Sequence, residues 1–305
     1  MKFNPKSKVI VQGILEPLGQ IYAPQMKAYG TNVVAGISPG GEQTEWQGIP
    51  VFDLVEQAIA ANGPVDTTVI LTPPYDVLDA ALEALTAGIR QIIILSQGVP
   101  PMDMVRLLRR AEKLETLIVG PNSPGLIVPG QVLLGTHPPA WYQPGPVGLL
   151  SRSGTLTYEV ARELTQAGLG QSIALGIGGS PLVGSSLSQW LQILDEDEQT
   201  EVIVLIGELG TDQEELAAEY IAEAIDTPVV AYLAGQSLPT LPLPSEALLP
   251  PQHRIMPFSL RTASAVDFGT PTRKLAAFKQ AKIPVAQSPA QVPEWVKKVL
   301  KKKRA

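Results

Sequence analysis

Cysteine is absent from all 305 residues. That excludes disulfides, thiolate-held zinc, iron–sulfur clusters and a thiol nucleophile in one step. Histidine is almost as scarce: only His137 and His253 occur, too few for a histidine-rich metal centre, and no metal site is expected. No apolar run approaches the ~18 residues of a bilayer span. The first residues, Met1-Lys2-Phe3-Asn4-Pro5, lack the apolar core of a secretory signal. An excess of positive charge is missing as well. Lys and Arg total 23 against 29 Asp and Glu, a net charge of −6, which argues against general nucleic-acid binding. Together these absences lead us to expect a cytoplasmic protein with neither a membrane nor a nucleic acid as partner.

What is present has the composition of a globular protein, 45% hydrophobic and 17% charged, in a chain long enough for two domains. Short β-branched runs alternate with helical patterns. Val9–Val11, Asn32–Ala35, Val69–Leu71, Ile92–Leu95 and Leu117–Val119 read as strands buried on both faces, with helical stretches such as Asp53–Ala61, Val77–Ala87 and Met102–Lys113 between them. Such a pattern means a parallel sheet covered by helices on each side, a nucleotide-binding-type α/β domain over residues 1–145. The proline-rich stretch from His137 to Pro146 marks its end.

A second alternation follows in 146–305. Strands are expected at Val147–Leu150, Ile173–Gly176, Val202–Ile206 and Val229–Leu233, and helices at Thr155–Ala167, Ser186–Leu194 and Gln213–Ala224, a second doubly wound unit of flavodoxin-like kind. Residues 236–257, rich in proline, interrupt it as an insertion that is neither helix nor central strand. The terminal helix ends in Lys297-Lys298-Val299-Leu300-Lys301-Lys302-Lys303-Arg304, which reads as a solvated helix end whose cations suit the dipole, the alternative being a run that holds an acidic partner.

Ser151-Arg152-Ser153-Gly154-Thr155 sits between the strand Val147–Leu150 and the helix that continues through Tyr158 and Glu159. A strand turning into a helix through these residues gathers amides, hydroxyls and the positive end of the dipole at one point. Ser153, Gly154 and Thr155 are therefore candidates to bind a phosphate or carboxylate. The other reading is that Ser153 and Thr155 merely cap the helix.

Several segments recur in the order found in one family. They are Tyr29–Gly40, Gly48–Phe52, Gly98–Met104, Gly120-Pro121-Asn122-Ser123-Pro124-Gly125, Ser151–Glu159, Gly168–Ser172, Gly176–Gly179 and Ile206-Gly207-Glu208-Leu209-Gly210. Over nearly its whole length the chain resembles the α subunit of succinyl-CoA synthetase (succinate–CoA ligase). The resemblance implies an N-terminal Rossmann-like CoA-binding-type domain followed by a ligase domain, with a β subunit of ATP-grasp fold as partner. It also implies a phosphorylated histidine that relays phosphate from a nucleoside triphosphate to the acid. A helix N-terminus at Ser153–Thr155 would face that histidine, Glu208 would hydrogen-bond it, and Tyr158 would lie at the substrate site. A CoA site would draw on Gly13, Gly19, Pro73, Ser96, Gln97, Gly98 and Asn122.

The chain departs from that pattern at two sites, the phosphohistidine and the CoA site. The family's Gly-His-Ala-Gly segment, which carries the phosphorylated histidine, has no counterpart; its position falls near Ser259, and His253 is the weak substitute available. The phosphate-cradling Gly-x-Thr-Gly-x-x-Gly loop becomes Gly13-Ile14-Leu15-Glu16-Pro17-Leu18-Gly19, and Gly41 stands where the family has a CoA-contacting lysine. Glu16 places a carboxylate, and Pro17 removes an amide, where phosphate should lie. Bound CoA is therefore expected to be weakened. The favoured reading is a catalytically impaired or non-catalytic binding or scaffold subunit, docked on a β-like partner or forming a homo-oligomer. The alternatives are an active acid–CoA ligase α subunit working with an ATP-grasp β subunit, and a direct ligase that uses Tyr158 and Glu208 without the relay.

Overall fold

The computed structural model describes residues 3–236 and 270–303. Its residues divide into two compact units. The first comprises residues 1–144 together with 171–185, and the second comprises 145–170 and 186–305. The break after 144 falls at the proline-rich stretch. The stretch 171–185, placed with the second domain from sequence, groups with the first unit.

The first unit is built on β1 (Val9–Gln12), β2 (Val33–Ile37), β3 (Glu45–Trp46), β4 (Ile49–Phe52), β5 (Thr67–Ile70), β6 (Gln91–Ile94) and β7 (Leu117–Val119). The sheet order is β3-β4-β2-β1-β5-β6-β7. All pairs are parallel except β3 with β4. The order reverses direction between β1 and β5, which places a topological switch point at the carboxyl end of β1, where α/β sheets bind ligands. Helices α1 (Pro17–Tyr29), α2 (Val55–Asn62), α3 (Val77–Thr86) and α4 (Pro101–Glu112) connect the strands. Ile10, Ile37, Ile70, Ile92, Ile94 and Ile118 of the strands pack with Val55, Ala81, Leu85 and Leu107 of the helices into one buried core. Strands β8 (Gly125–Val128) and β9 (Val132–Gly135) pair antiparallel, and β8 pairs antiparallel with β11 (Gln171–Gly176).

The second unit carries β10 (Pro144–Ser151), β12 (Val202–Gly207), β13 (Val229–Leu233) and β14 (Val285–Ala286), joined in parallel as β10-β12-β13-β14. Its helices are α5 (Gly154–Gln166), α6 (Leu187–Asp195), α7 (Gln213–Ala224), α8 (Pro271–Gln280) and α9 (Val292–Lys303). Val160, Ala161 and Leu164 form the buried stripe of α5 at helical spacing, and β12 is buried along its full length. The chain is thus α/β throughout, with helices interleaved between the strands of both units, as the alternation of buried strands and helical patterns predicts.

Most of the expected insertion 236–257, including His253, and the position of Ser259 lie outside the described residues. No described helix is long and apolar enough to cross a membrane.

Candidate functional site

In the second unit β10 ends at Ser151 and α5 begins at Gly154, so the Ser-Arg-Ser-Gly-Thr segment is the strand-to-helix turn read from the sequence. Ser153 occupies the N-cap position in extended conformation, yet its side chain makes no capping bond. Its own amide donates to Ser151 Oγ at 3.0 Å, and Ser151 Oγ donates to the Ser153 carbonyl at 2.8 Å. The capping alternative is therefore not what the turn does. Gly154, Thr155 and Leu156 begin the helix, where amides have no intrahelical acceptor. Around a Cβ added at Gly154 there is nothing within 4 Å, so the mouth of the turn is open. Thr155 is exposed and Tyr158 half-buried one turn further on. An anion arriving here meets unspent amides and the positive pole of a 13-residue helix.

Glu208 follows directly on β12, whose Ile206 pairs with Ser151 of β10. Sheet pairing thus puts the Ser151–Thr155 turn and Glu208 at neighbouring strand ends. On the other side of β12, Tyr232 pairs with Ile206. Burial first, and then the nearby Glu159 carboxylate, raise the Tyr232 phenol above its ordinary 10, which keeps it a hydrogen-bond donor. Tyr232 was not among the sequence candidates. Its only sequence signal is a place in an apolar strand, where an aromatic ring reads as core.

In the first unit six of the seven candidate CoA residues follow the carboxyl ends of parallel strands: Gly13 after β1, Pro73 after β5, Ser96, Gln97 and Gly98 after β6, and Asn122 after β7; the seventh, Gly19, lies in α1. The β1–α1 turn separates two kinds of glycine. Gly13 has φ +78°, and a Cβ there would come within 2.8 Å of the Thr72 amide nitrogen. At Gly19 a Cβ would lie 2.0 Å from the Gly13 carbonyl oxygen, so this glycine lets α1 close onto β1. Both serve the turn and its packing. The glycine that in dinucleotide folds lets backbone approach a pyrophosphate is the middle one, and here Glu16 stands at the α1 N-cap with Pro17 in the first turn. Of the turn's amides, Gly13 donates to Ile37 O at 2.9 Å and Glu16 donates to Gly13 O at 3.1 Å, so neither is available to a ligand. Leu15 packs towards Gly41, its Cδ1 being 3.6 Å from a Cβ placed there. Ser96 donates its hydroxyl to Thr72 O at 2.6 Å, while Gln97 and Gly98 are exposed.

His137 is buried, and its Nδ1 lies 2.7 Å from the Tyr142 hydroxyl. Burial lowers its pKa from 6.5 to about 4, against the opposing influence of a backbone hydrogen bond with Gly125. A neutral, enclosed imidazole of this kind braces the segment leading to β10 and is not placed to exchange phosphate. Among the described residues no cluster of His, Cys, Asp and Glu could hold a metal ion.

Residues 4–98 match the family model of the CoA binding domain, and residues 150–246 match that of the CoA-ligase domain. These two matches together give a CoA binding domain followed by a CoA-ligase domain. The relatives narrow this. The α subunit of the ADP-forming succinate–CoA ligase of Aquifex aeolicus is 40% identical over 303 residues, covering 98% of this chain and 94% of the relative. Subunit alpha 2 of the corresponding enzyme of Archaeoglobus fulgidus is 38% identical, with 97% and 98% covered. The malate–CoA ligase α subunit of Methylorubrum extorquens is 41% identical over 240 residues, 77% of this chain and 81% of that one. The chain belongs to the family of succinate–CoA ligase α subunits. In three dimensions it resembles ATP citrate lyase of Methanothrix soehngenii, solved with citrate and coenzyme A, at a TM-score of 0.84 and 23% identity. That match covers 99% of this chain but spans about half (51%) of the lyase chain, and at this identity it speaks for the fold.

Proposed function

We propose that this chain is a cytoplasmic α-subunit-like member of its family that has kept the anion cradle of the second unit and given up the phosphohistidine relay. It acts as a binding or scaffold subunit on an ATP-grasp β-subunit-like partner, and it holds CoA weakly. The observation that carries this reading is the β1–α1 turn. The two glycines needed for folding remain, while the position needed for phosphate holds Glu16, followed by Pro17. A turn under selection for CoA has no reason to place a carboxylate at the helix end that should receive phosphate. The histidine inventory supports it independently: of the two histidines, His137 is enclosed, and His253 sits between Gln252 and Arg254 without flanking glycines. In this reading Ser153, Gly154 and Thr155 receive the anion, Glu208 and Tyr158 flank it, and Ser96, Gln97, Gly98, Pro73 and Asn122 are the remnant of the CoA site.

The test is phosphorylation. Incubated with labelled ATP and a β-subunit-like partner, the chain should acquire no acid-labile phosphate. A labelled band that disappears in His253→Ala would refute the proposal and establish an active ligase subunit with a displaced carrier. Turnover of ATP that depends on succinate and CoA and survives loss of both histidines would point to direct transfer at Tyr158 and Glu208.

A further inference from the structure

Behind the anion cradle of the second unit lie four charged side chains that no part of the reading above uses. Lys274 and Glu214 are fully buried, Arg152 is 2% exposed, and the side chain of Glu215 is 14% exposed. Two cations face two carboxylates, so the cluster is neutral overall. Glu214 is its hub. Its Oε1 accepts the Glu208 amide at 2.8 Å and lies 3.5 Å from Arg152 Nη1, while its Oε2 pairs with Lys274 Nζ. Lys274 also donates to the Thr211 carbonyl and to Glu215 Oε2, the latter at 2.9 Å. Arg152 donates to the Thr211 hydroxyl. Backbone bonding runs alongside: the Arg152 amide donates to Ile206 O at 3.1 Å.

A buried, neutral set of ion pairs is a poor source of net stability, because desolvation cancels most of the attraction. What it does supply is fixed geometry. Arg152 lies inside the Ser151–Thr155 turn, Glu208 lies beside that turn, and both are held by the same carboxylate. The fit is close as well: a Cβ added at Gly207 would come within 2.7 Å of Glu214 Cγ, so the bare backbone at 207 is what lets Glu214 sit beneath Glu208. The guanidinium that sequence would offer to an arriving anion is instead turned inward and matched by a carboxylate. That leaves the anion to the helix amides.

We propose that Glu214 is the positioning residue of the anion cradle: with Lys274 as counter-ion, it fixes the Glu208 backbone and holds Arg152 away from the ligand, so the cradle keeps its shape and binds through amides. This rests on reading Ser153–Thr155 as an anion site, and the experiment separates the two. Inorganic phosphate is titrated into the full chain while the amide NMR signals of Gly154 and Thr155 are followed. Glu214→Ala leaves Arg152 and Lys274 facing Glu215 alone, so the freed guanidinium should reach the ligand and tighten phosphate binding tenfold or more; weaker binding would overturn the proposal. The double variant Glu214→Gln with Lys274→Met removes both charges but keeps an acceptor for the Glu208 amide, and it should bind within about threefold of the parent. It also serves if Glu214→Ala does not fold. In parallel, hydrogen exchange of the Glu208 amide should quicken in Glu214→Ala and return to the parent rate in the double variant. Equal phosphate affinity in the parent and in folded Glu214→Ala would overturn the proposal, as would a double variant that binds tenfold more weakly. If phosphate does not bind the parent at all, the cradle reading fails and the exchange data decide about Glu214: unchanged protection of Glu208 then sinks it, and a restored rate in the double variant upholds it.

Discussion

Replacing Glu16 should restore affinity for CoA, and the size of the gain can be worked out from its place in the turn. Glu16 is the N-cap of α1 and makes no capping bond, so its carboxylate sits at the helix end that would otherwise attract phosphate. Two like charges ~4 Å apart repel by about 1 kcal/mol in water and about 4 kcal/mol near a protein surface. Glu16 is half-buried, between these limits. A gain of about 2 kcal/mol, roughly thirtyfold in Kd, follows for removal of the charge. Glu16→Gln removes the charge but not the bulk, and Glu16→Gly removes both and restores the approach of backbone to ligand. Calorimetric titration of CoA into the parent and both variants reads the result. Most of the gain should already be present in Glu16→Gln, with a smaller addition in Glu16→Gly, because Pro17 still withholds an amide. If the parent binds CoA at micromolar Kd, or if neither variant gains threefold, repulsion by Glu16 is not what governs this turn. The account of the CoA site then falls with it.

Two further outcomes follow from the geometry. His137 is held neutral in the folded chain with a pKa near 4, whereas in the unfolded chain it takes up a proton near 6.5. The unfolded state therefore binds more protons between these values, so this residue's contribution is full above pH 6.5 and is lost as pH falls towards 4. At ~1.36 kcal/mol per tenfold change in proton affinity the loss is about 3 kcal/mol. Urea midpoints measured from pH 7 to pH 4 should fall accordingly, and more shallowly in His137→Gln; parallel curves would refute the assignment. Gly19→Ala should destabilise the fold by several kcal/mol, since the new Cβ would overlap the Gly13 carbonyl, whereas Gly154→Ala, with open space around it, should stay within ~0.5 kcal/mol. Thermal unfolding distinguishes the two, and an equal effect at both glycines would contradict the packing role given to Gly19.

Much of the architecture is legible in the chain because buried parallel strands leave a local signature. Val9–Val11, Ile92–Leu95 and Val202–Ile206 are apolar on both faces, and each became a central strand. Helix α1 was harder to read, because Pro17 and Pro24 lie within it; the first falls in the opening turn, where its missing amide costs nothing. Strands β8 and β9 also went unread, their short apolar runs being set among glycines and prolines. The Ser-Arg-Ser-Gly-Thr turn was legible as a strand-to-helix junction, but whether Ser153 caps it was not. That depends on where the Ser153 hydroxyl points, and in the fold it makes no capping bond.

By itself the sequence determined the alternating α/β pattern and a glutamate at position 16, ahead of Pro17. It also determined the absence of thiols and the near-absence of histidine. These are properties of residue type and short-range order, which propensity and hydrophobic period express directly. Only the tertiary structure decided where Arg152, Glu214 and Lys274 point. Along the chain, Glu214 and Glu215 are unremarkable acids in the first turn of α7, suited to its dipole, and Lys274 is one of several cations on an amphipathic helix. Their meeting beneath Glu208 brings together residues 60 positions apart. The pairing of β10 with β12 sets the place, and the cost of burying an unmatched charge enforces the match. No local pattern carries that information, because the energy that selects it exists only once the core has closed.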